Sequence, residues 1–117
     1  MKDSRVLCCV PHCRRTIATE RVAPHTQWLC GSHWPLVPKK LRGFKLKADR
    51  TYERSKDVFF ATFHEADEHA KSNNGGVSDE IIQRLHQASD RREKARQRCL
   101  RTWDRCKRRA IETAMGI

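Results

Sequence analysis

The chain has 117 residues, 25 Lys and Arg against 14 Asp and Glu, a net charge of +11 and 38% hydrophobic residues. That length excludes a large multidomain enzyme, and the low apolar share leaves a modest core that needs a staple. The charge favours a polyanionic or strongly acidic partner.

Residues 1–38 hold four of the six Cys, all four Pro, three of the six His and two of the three Trp, with no helical period. The start, MKDSRVLCCVPHC, lacks the apolar run of a secretory signal, and no later run approaches the length of a membrane span. A cytoplasmic location is therefore expected, with no membrane partner. In a reducing compartment clustered Cys and His read as a metal site rather than as disulfides.

The pattern Cys8-Cys9-Val10-Pro11-His12-Cys13, then Trp28-Leu29-Cys30-Gly31-Ser32-His33-Trp34, supplies two closely spaced ligand pairs. A tetrahedral zinc ion takes such pairs from local sequence, so one structural Zn2+ held by Cys8, Cys13, Cys30 and His33 is expected. Cys8 and Cys9 cannot both serve one tetrahedral ion. The longer loop around Val10-Pro11 favours Cys8, with Cys9 as the alternative and His12 and His25 in reserve. Between the pairs, Thr16–Thr19 and Thr26–Leu29 suffice for a short β-hairpin, and Cys30 and His33 would occupy the first turn of a short helix. Knuckle, hairpin and helix-borne pair make a treble-clef-like layout. Four protein ligands and no open position mark a structural rather than a catalytic ion.

Residues 39–117 read as a basic antiparallel helical hairpin, with helices over about 45–71 and 79–115 and a turn at 72–76. Gly43 is expected to interrupt the opening of the first helix. Ala48, Tyr52, Ser55, Phe59, Phe63, Ala66 and Ala70 recur at steps of three or four and form its inner face. Ser72-Asn73-Asn74-Gly75-Gly76 signals chain reversal. Ser78 is a natural N-cap, with Asp79 and Glu80 in the first turn and Val77 and Ile82 at staple spacing. Ile81, Leu85, Ala88, Ala95, Cys99, Trp103, Cys106, Ala110 and Ala114 then make one stripe of mostly small residues, broken by Arg92. Such a stripe suits close packing against the first helix. A homodimer through the C-terminal helix is the competing use of it. Cys99 and Cys106 read as small core residues beside Trp103.

The segments CCVPHCRRT, WLCGSHWPLVPKKLR and WDRCKRRAIETAMGI resemble a family of small, largely uncharacterised zinc-finger-type proteins of alphaproteobacterial phages and prophages. The shared features fall on Cys8, Val10-Pro11, Cys13, Trp28, Cys30, His33, Trp34 and Val37-Pro38-Lys39. The resemblance implies a metal-binding phage protein and supplies no catalytic residues or settled activity. Phe44–Asn74 has no counterpart in it.

Between Arg91 and Arg109 ten Lys or Arg stand against Glu93 and Asp104, and Lys39–Lys56 has eight against Asp49 and Glu53. An antiparallel hairpin brings these stretches together as a surface for DNA or RNA phosphates. Its expected contacts are Lys39, Lys40, Arg42, Lys45, Lys47, Arg91, Arg92, Arg98, Arg101, Arg105 and Arg108. Between Arg91 and Arg109 Gln97 is the one Asn or Gln, too little for a reading face, so the contacts would be to the backbone, in regulation of transcription or phage DNA handling. The alternative is an inhibitor or adaptor that grips a host protein, such as a defence-system or transcription component, through Trp34 and Phe60. Enzyme chemistry is not expected. His64 and His69 miss the spacing of a His-Glu-x-x-His motif, His86 and Asp90 make an ordinary helix pair, and there is no Gly-rich phosphate loop or serine elbow.

Overall fold

The computed structural model describes residues 4–22 and 26–117. It is mainly helical, with a two-stranded antiparallel hairpin near the N-terminus followed by two long packed helices, α1 (Lys39–Ser72) and α2 (Asp79–Met115). The chain forms two compact units. One comprises Met1–Gly43 together with Trp103–Ile117, the other Phe44–Thr102.

In the first unit, β1 (Arg5–Leu7) pairs with β2 (Thr16–Ala18) in a register that sets Val6 against Ile17. The Arg5 Nε donates to Thr16 Oγ1 at 2.8 Å across the pair. The sequence pointed to a hairpin between the two ligand pairs; instead β2 turns back onto a strand that precedes the first pair. The knuckle is thus the hairpin's own loop, closed by the Cys8 N–H donating to the Arg15 carbonyl at 2.9 Å. Trp28 makes a single parallel bridge with Cys8 and no strand. Thr19–Arg21 continues from β2 as a turn of 3₁₀-helix, which removes the length a second hairpin would need.

Helix α1 begins at Lys39, earlier than the expected residue 45, and Gly43 lies within it without interrupting it. Two anchors hold this opening turn: Leu41 is buried, and the Arg42 Nε donates to the Val37 carbonyl at 3.0 Å. Pro38 contributes no conflict, because the residue before a helix needs no helical N–H, and its carbonyl accepts from the Arg42 N–H at 3.0 Å. A Cβ built on Gly43 meets nothing within 4 Å. Gly43→Ala is therefore expected to raise stability by about 0.5–1 kcal/mol, measured by urea denaturation; a loss would contradict a continuous helix there.

The first unit's core joins Cys8, Val10, Leu29, Cys30, Val37 and Leu41 to Trp103, Cys106 and Ala110 of α2. A finger ending at residue 38 and a separate hairpin over 39–117 do not describe this packing. The last turns of α2 belong with the finger. Cys106 is fully buried and its thiol donates to the Leu41 carbonyl at 3.8 Å, while Trp103 Nε1 donates to Gln27 Oε1 at 3.0 Å. Small side chains at 106 and 110 let the finger approach the helix; Trp103 supplies the bulk and finds a partner for its N–H.

In the second unit, contacts between Asp49 and Cys99, Phe59 and Arg92, and Glu65 and Arg84 run in opposite directions along the two helices. Asn74 and Gly75 take positive φ in the turn, and the Gly75 N–H returns to the Ala70 carbonyl at 2.7 Å, closing the end of α1. Ser78 caps α2: its Oγ accepts the Ile81 N–H at 3.3 Å. Ala48, Ser55 and Ala66 form the buried ridge of α1, and Ile81, Ala88, Ala95 and Cys99 that of α2. Phe63, expected inside, is 53% exposed. Small residues on both ridges leave too little depth for a second phenylalanine beside Phe59. Arg92, the break in the apolar stripe, lays its guanidinium 4.0 Å from the Phe59 ring centre, so its charge is held by an aromatic face.

Candidate metal centre and cationic face

Cys8 directly follows β1, and the chain then makes a turn from Val10 to Cys13, closed by the Cys13 N–H donating to the Val10 carbonyl at 3.1 Å. Pro11 and His12 are its central residues, and His12 has φ 72°. Proline followed by a residue of positive φ is a type II turn, which folds Cys13 back toward Cys8. The second pair sits on the turn Cys30–His33, where the N–H groups of His33 and Trp34 both donate to the Cys30 carbonyl, at 3.0 and 2.9 Å. A 3₁₀ turn, Trp34–Leu36, follows, in place of the expected helix.

The Sγ atoms of Cys8, Cys13 and Cys30 and a ring nitrogen of His33 lie within 4.8 Å of one another. Cys30 Sγ is 3.2 Å from His33 Nδ1, Cys8 Sγ is 3.5 Å from the same nitrogen, and Cys13 Sγ is 3.9 Å from Cys30 Sγ. Bonds of about 2.3 Å from a tetrahedral ion to sulfur give an edge of about 3.8 Å, so the donor set fits one metal ion. Backbone N–H groups complete the surroundings. The Cys30 N–H points at Cys8 Sγ at 3.4 Å. Burial opposes ionisation of Cys30, yet the N–H groups of Ser32 and His33 and the neighbouring thiols of Cys8 and Cys13 bring it down to about 6, while burial pushes Cys8 up. A cluster that already holds one thiol near ionisation is prepared for a cation.

Cys9 falls outside the set. Its N–H is used by the Trp28 carbonyl at 2.8 Å, and its side chain packs against the finger core. His12 is exposed on the turn, and His25 lies outside the described residues. Trp34 is half-buried against the same core, which makes it a packing residue of the finger. Cys99 is buried with its thiol donating to Asp49 Oδ1 at 2.8 Å; burial first, then that bond and the Asp49 charge, push it up to about 12. With metal bound, alkylation by iodoacetamide at about pH 8 is expected to label Cys9 and spare Cys99, read by peptide mass spectrometry, because only a thiolate reacts. Labelling of Cys99 ahead of Cys9 would contradict this placement.

The two buried ridges divide the hairpin unit into two sides. Glu65 and Arg84 meet on one. Asp49 with Cys99 and Phe60 with Arg92 meet on the other, and Tyr52 acts there on Arg96. Helical spacing then places Lys47 and Arg54 of α1 and Arg91 and Arg98 of α2 on the Glu65–Arg84 side, with Lys94 and Arg101 along its outer edge. All six are exposed and none forms an ion pair among the described residues. Asp49, Glu53 and Glu93 lie on the opposite side, Asp57 points away from both, and Asp90 shares a shallow surface depression with Gln87, Arg91 and Lys94 without pairing to them. Phe44 and Val58 are exposed apolar residues on the cationic side.

Three of the cations expected to contact phosphate are engaged inside the chain instead. Arg42 is bound to the Val37 carbonyl, Lys45 pairs with Asp49, and Arg92 lies over Phe59. In the finger unit Lys39, Lys40, Arg105 and Arg108 are exposed. Arg54 and Lys94, which share this side, were not among the expected contacts; their signal was the three-and-four spacing they share with Lys47, Arg91 and Arg98. Gln27, which joins Trp103 and Lys107, gave no signal at all. No helix among the described residues is long and apolar enough to cross a membrane. Comparison of the chain with protein-family models, curated proteins and solved structures found no match.

Proposed function

We propose that this chain is a zinc-stapled nucleic-acid-binding protein that holds the phosphate backbone without reading bases, in transcription control or DNA handling. The observation that carries the reading is the one-sided set of six exposed cations in the hairpin unit, Lys47, Arg54, Arg91, Lys94, Arg98 and Arg101, none with an acidic partner among the described residues. A solvated helix face ordinarily mixes charges and pairs them at three- and four-residue spacing, as Glu93 and Arg96 do on the other side. Unpaired like charges repel one another, and that cost is recovered when phosphates neutralise them.

Zinc is the ion the donor set suits: three thiolates and one imidazole, closed to solvent ligands, make a structural tetrahedral site. The ion folds the finger and takes no part in binding. The test is fluorescence anisotropy with a short labelled duplex. Arg98→Glu combined with Arg101→Glu is expected to weaken binding by roughly two orders of magnitude with zinc content unchanged. Equal affinity in that variant would overturn the reading.

A further inference from the structure

The side of the hairpin unit opposite the unpaired cations is built differently. Phe60, Phe63, Ile82 and Leu100 lie there, exposed by 54, 53, 39 and 40%. Four of its cations are matched by an acid of their own helix, Lys45 with Asp49, Lys56 with Glu53, Lys71 with Asp67 and Arg96 with Glu93, and Arg92 lies over the Phe59 ring. Polyanions gain nothing from such a surface, and neither does a strongly charged protein. An apolar surface with its charges internally cancelled matches another surface of the same kind.

We propose that this side is a homodimer interface, occupied by a second copy of the chain in a two-fold arrangement. A two-fold interface sets one patch against itself, so it requires a patch that is self-complementary in charge, and here four ion pairs cancel and the Arg92 charge is held against an aromatic ring. Its size fits as well. The α2 stretch from residue 79 to 102 is about 36 Å long and two helices side by side are about 20 Å across, an area of about 700 Å², close to the roughly 800 Å² per partner of a standard interface. The cationic side repels a second copy, which leaves the neutral side as the one on which two chains of charge +11 can meet. This differs from a dimer through the small-residue stripe of α2, since that stripe is buried within the chain. The dimer turns both cationic sides outward.

Sedimentation equilibrium of the full zinc-loaded chain tests this. The wild type is expected to show twice the 13.7 kDa chain mass at micromolar concentration, and to keep it in high salt, since the contact is apolar. Phe60→Asp with Phe63→Asp is expected to give the single-chain mass with helical circular dichroism retained, at least a hundredfold loss of association. Arg98→Glu with Arg101→Glu, which removes nucleic-acid contacts, is expected to leave the dimer intact. If the double aspartate variant does not fold, Ile82→Glu on α2 serves in its place. A wild type that stays single at every concentration overturns the proposal, whether or not Phe60 captures a different protein. So does a dimer that survives both the Phe60/Phe63 and the Ile82 changes, or one lost with Arg98 and Arg101.

Discussion

Cys30→Ser is expected to abolish metal binding and unfold the finger unit while Cys9→Ser leaves both intact. Cys30 is almost fully buried, contacts all three other donors through its thiol or its N–H and belongs to the finger's core cluster. Its loss removes a ligand at the centre of a unit with few other large side chains to hold it. Structural zinc contributes about 10–16 kcal/mol to a small finger, as much as the whole stability of a small domain, about 5–15 kcal/mol. All three tryptophans, Trp28, Trp34 and Trp103, lie in the finger unit. Their emission therefore reports that unit alone, and it is expected to shift to the red in Cys30→Ser and on treating the wild type with a chelator. Native mass spectrometry checks the stoichiometry: one ion per chain in the wild type and in Cys9→Ser, none in Cys30→Ser. A Cys9→Ser protein without metal would show that the turn at Pro11-His12 presents the other cysteine.

The second large effect is on salt dependence. Six phosphate contacts predict that the logarithm of the duplex association constant falls with the logarithm of salt concentration at a slope of about −5.4, so a threefold rise in salt costs about 400-fold in affinity. Each cation removed should reduce the slope by about one. Arg54→Ala and Lys94→Ala are informative because they come from different helices but share one side, and each should flatten the slope equally. Arg96→Ala is the control. Its guanidinium is bound to Glu93 on the opposite side, with Nη2 to Oε1 at 2.7 Å, and its loss should not change the slope. Affinities should vary little with base sequence, since contacts to the backbone carry no base information. A slope near zero, or a strong sequence preference, would point to a different mode of recognition.

What was legible in the chain was what is local. Cys8, Cys13, Cys30 and His33 stand at ligand spacing, and the choice of Cys8 followed from the room a Val10-Pro11 loop needs; the type II turn supplies that room. The reversal at Asn74-Gly75 and the Ser78 cap depend on one or two residues each, and both were readable for that reason. Pairing of three-residue strands was not. Arg5–Leu7 is too short to carry a two-residue period, so nothing distinguished it from Thr26–Leu29 as the mate of Thr16–Ala18. Periodicity likewise says that a face is covered and not by what. The stripe on α2 runs from Ile81 to Ala110 with one break at Arg92, yet its last part meets the finger. Phe63 and Phe59 share a helical face, and only the depth available beside small residues separates the half-buried ring from the exposed one.

The finger's construction also sets an order of events during synthesis. Gln27 and Trp103, hydrogen-bonded in the finished unit, are 76 residues apart. The four ligands leave the ribosome well before the helix turns that cover them, so a metal ion captured early would sit in a half-built core with Val37 and Leu41 bare to solvent. Closing the unit requires a long loop to be brought together, which slows folding. The nascent chain therefore passes through a stage in which thiols and apolar side chains are exposed together, and in the cell that stage is the one most open to oxidation, to the wrong metal and to chaperones.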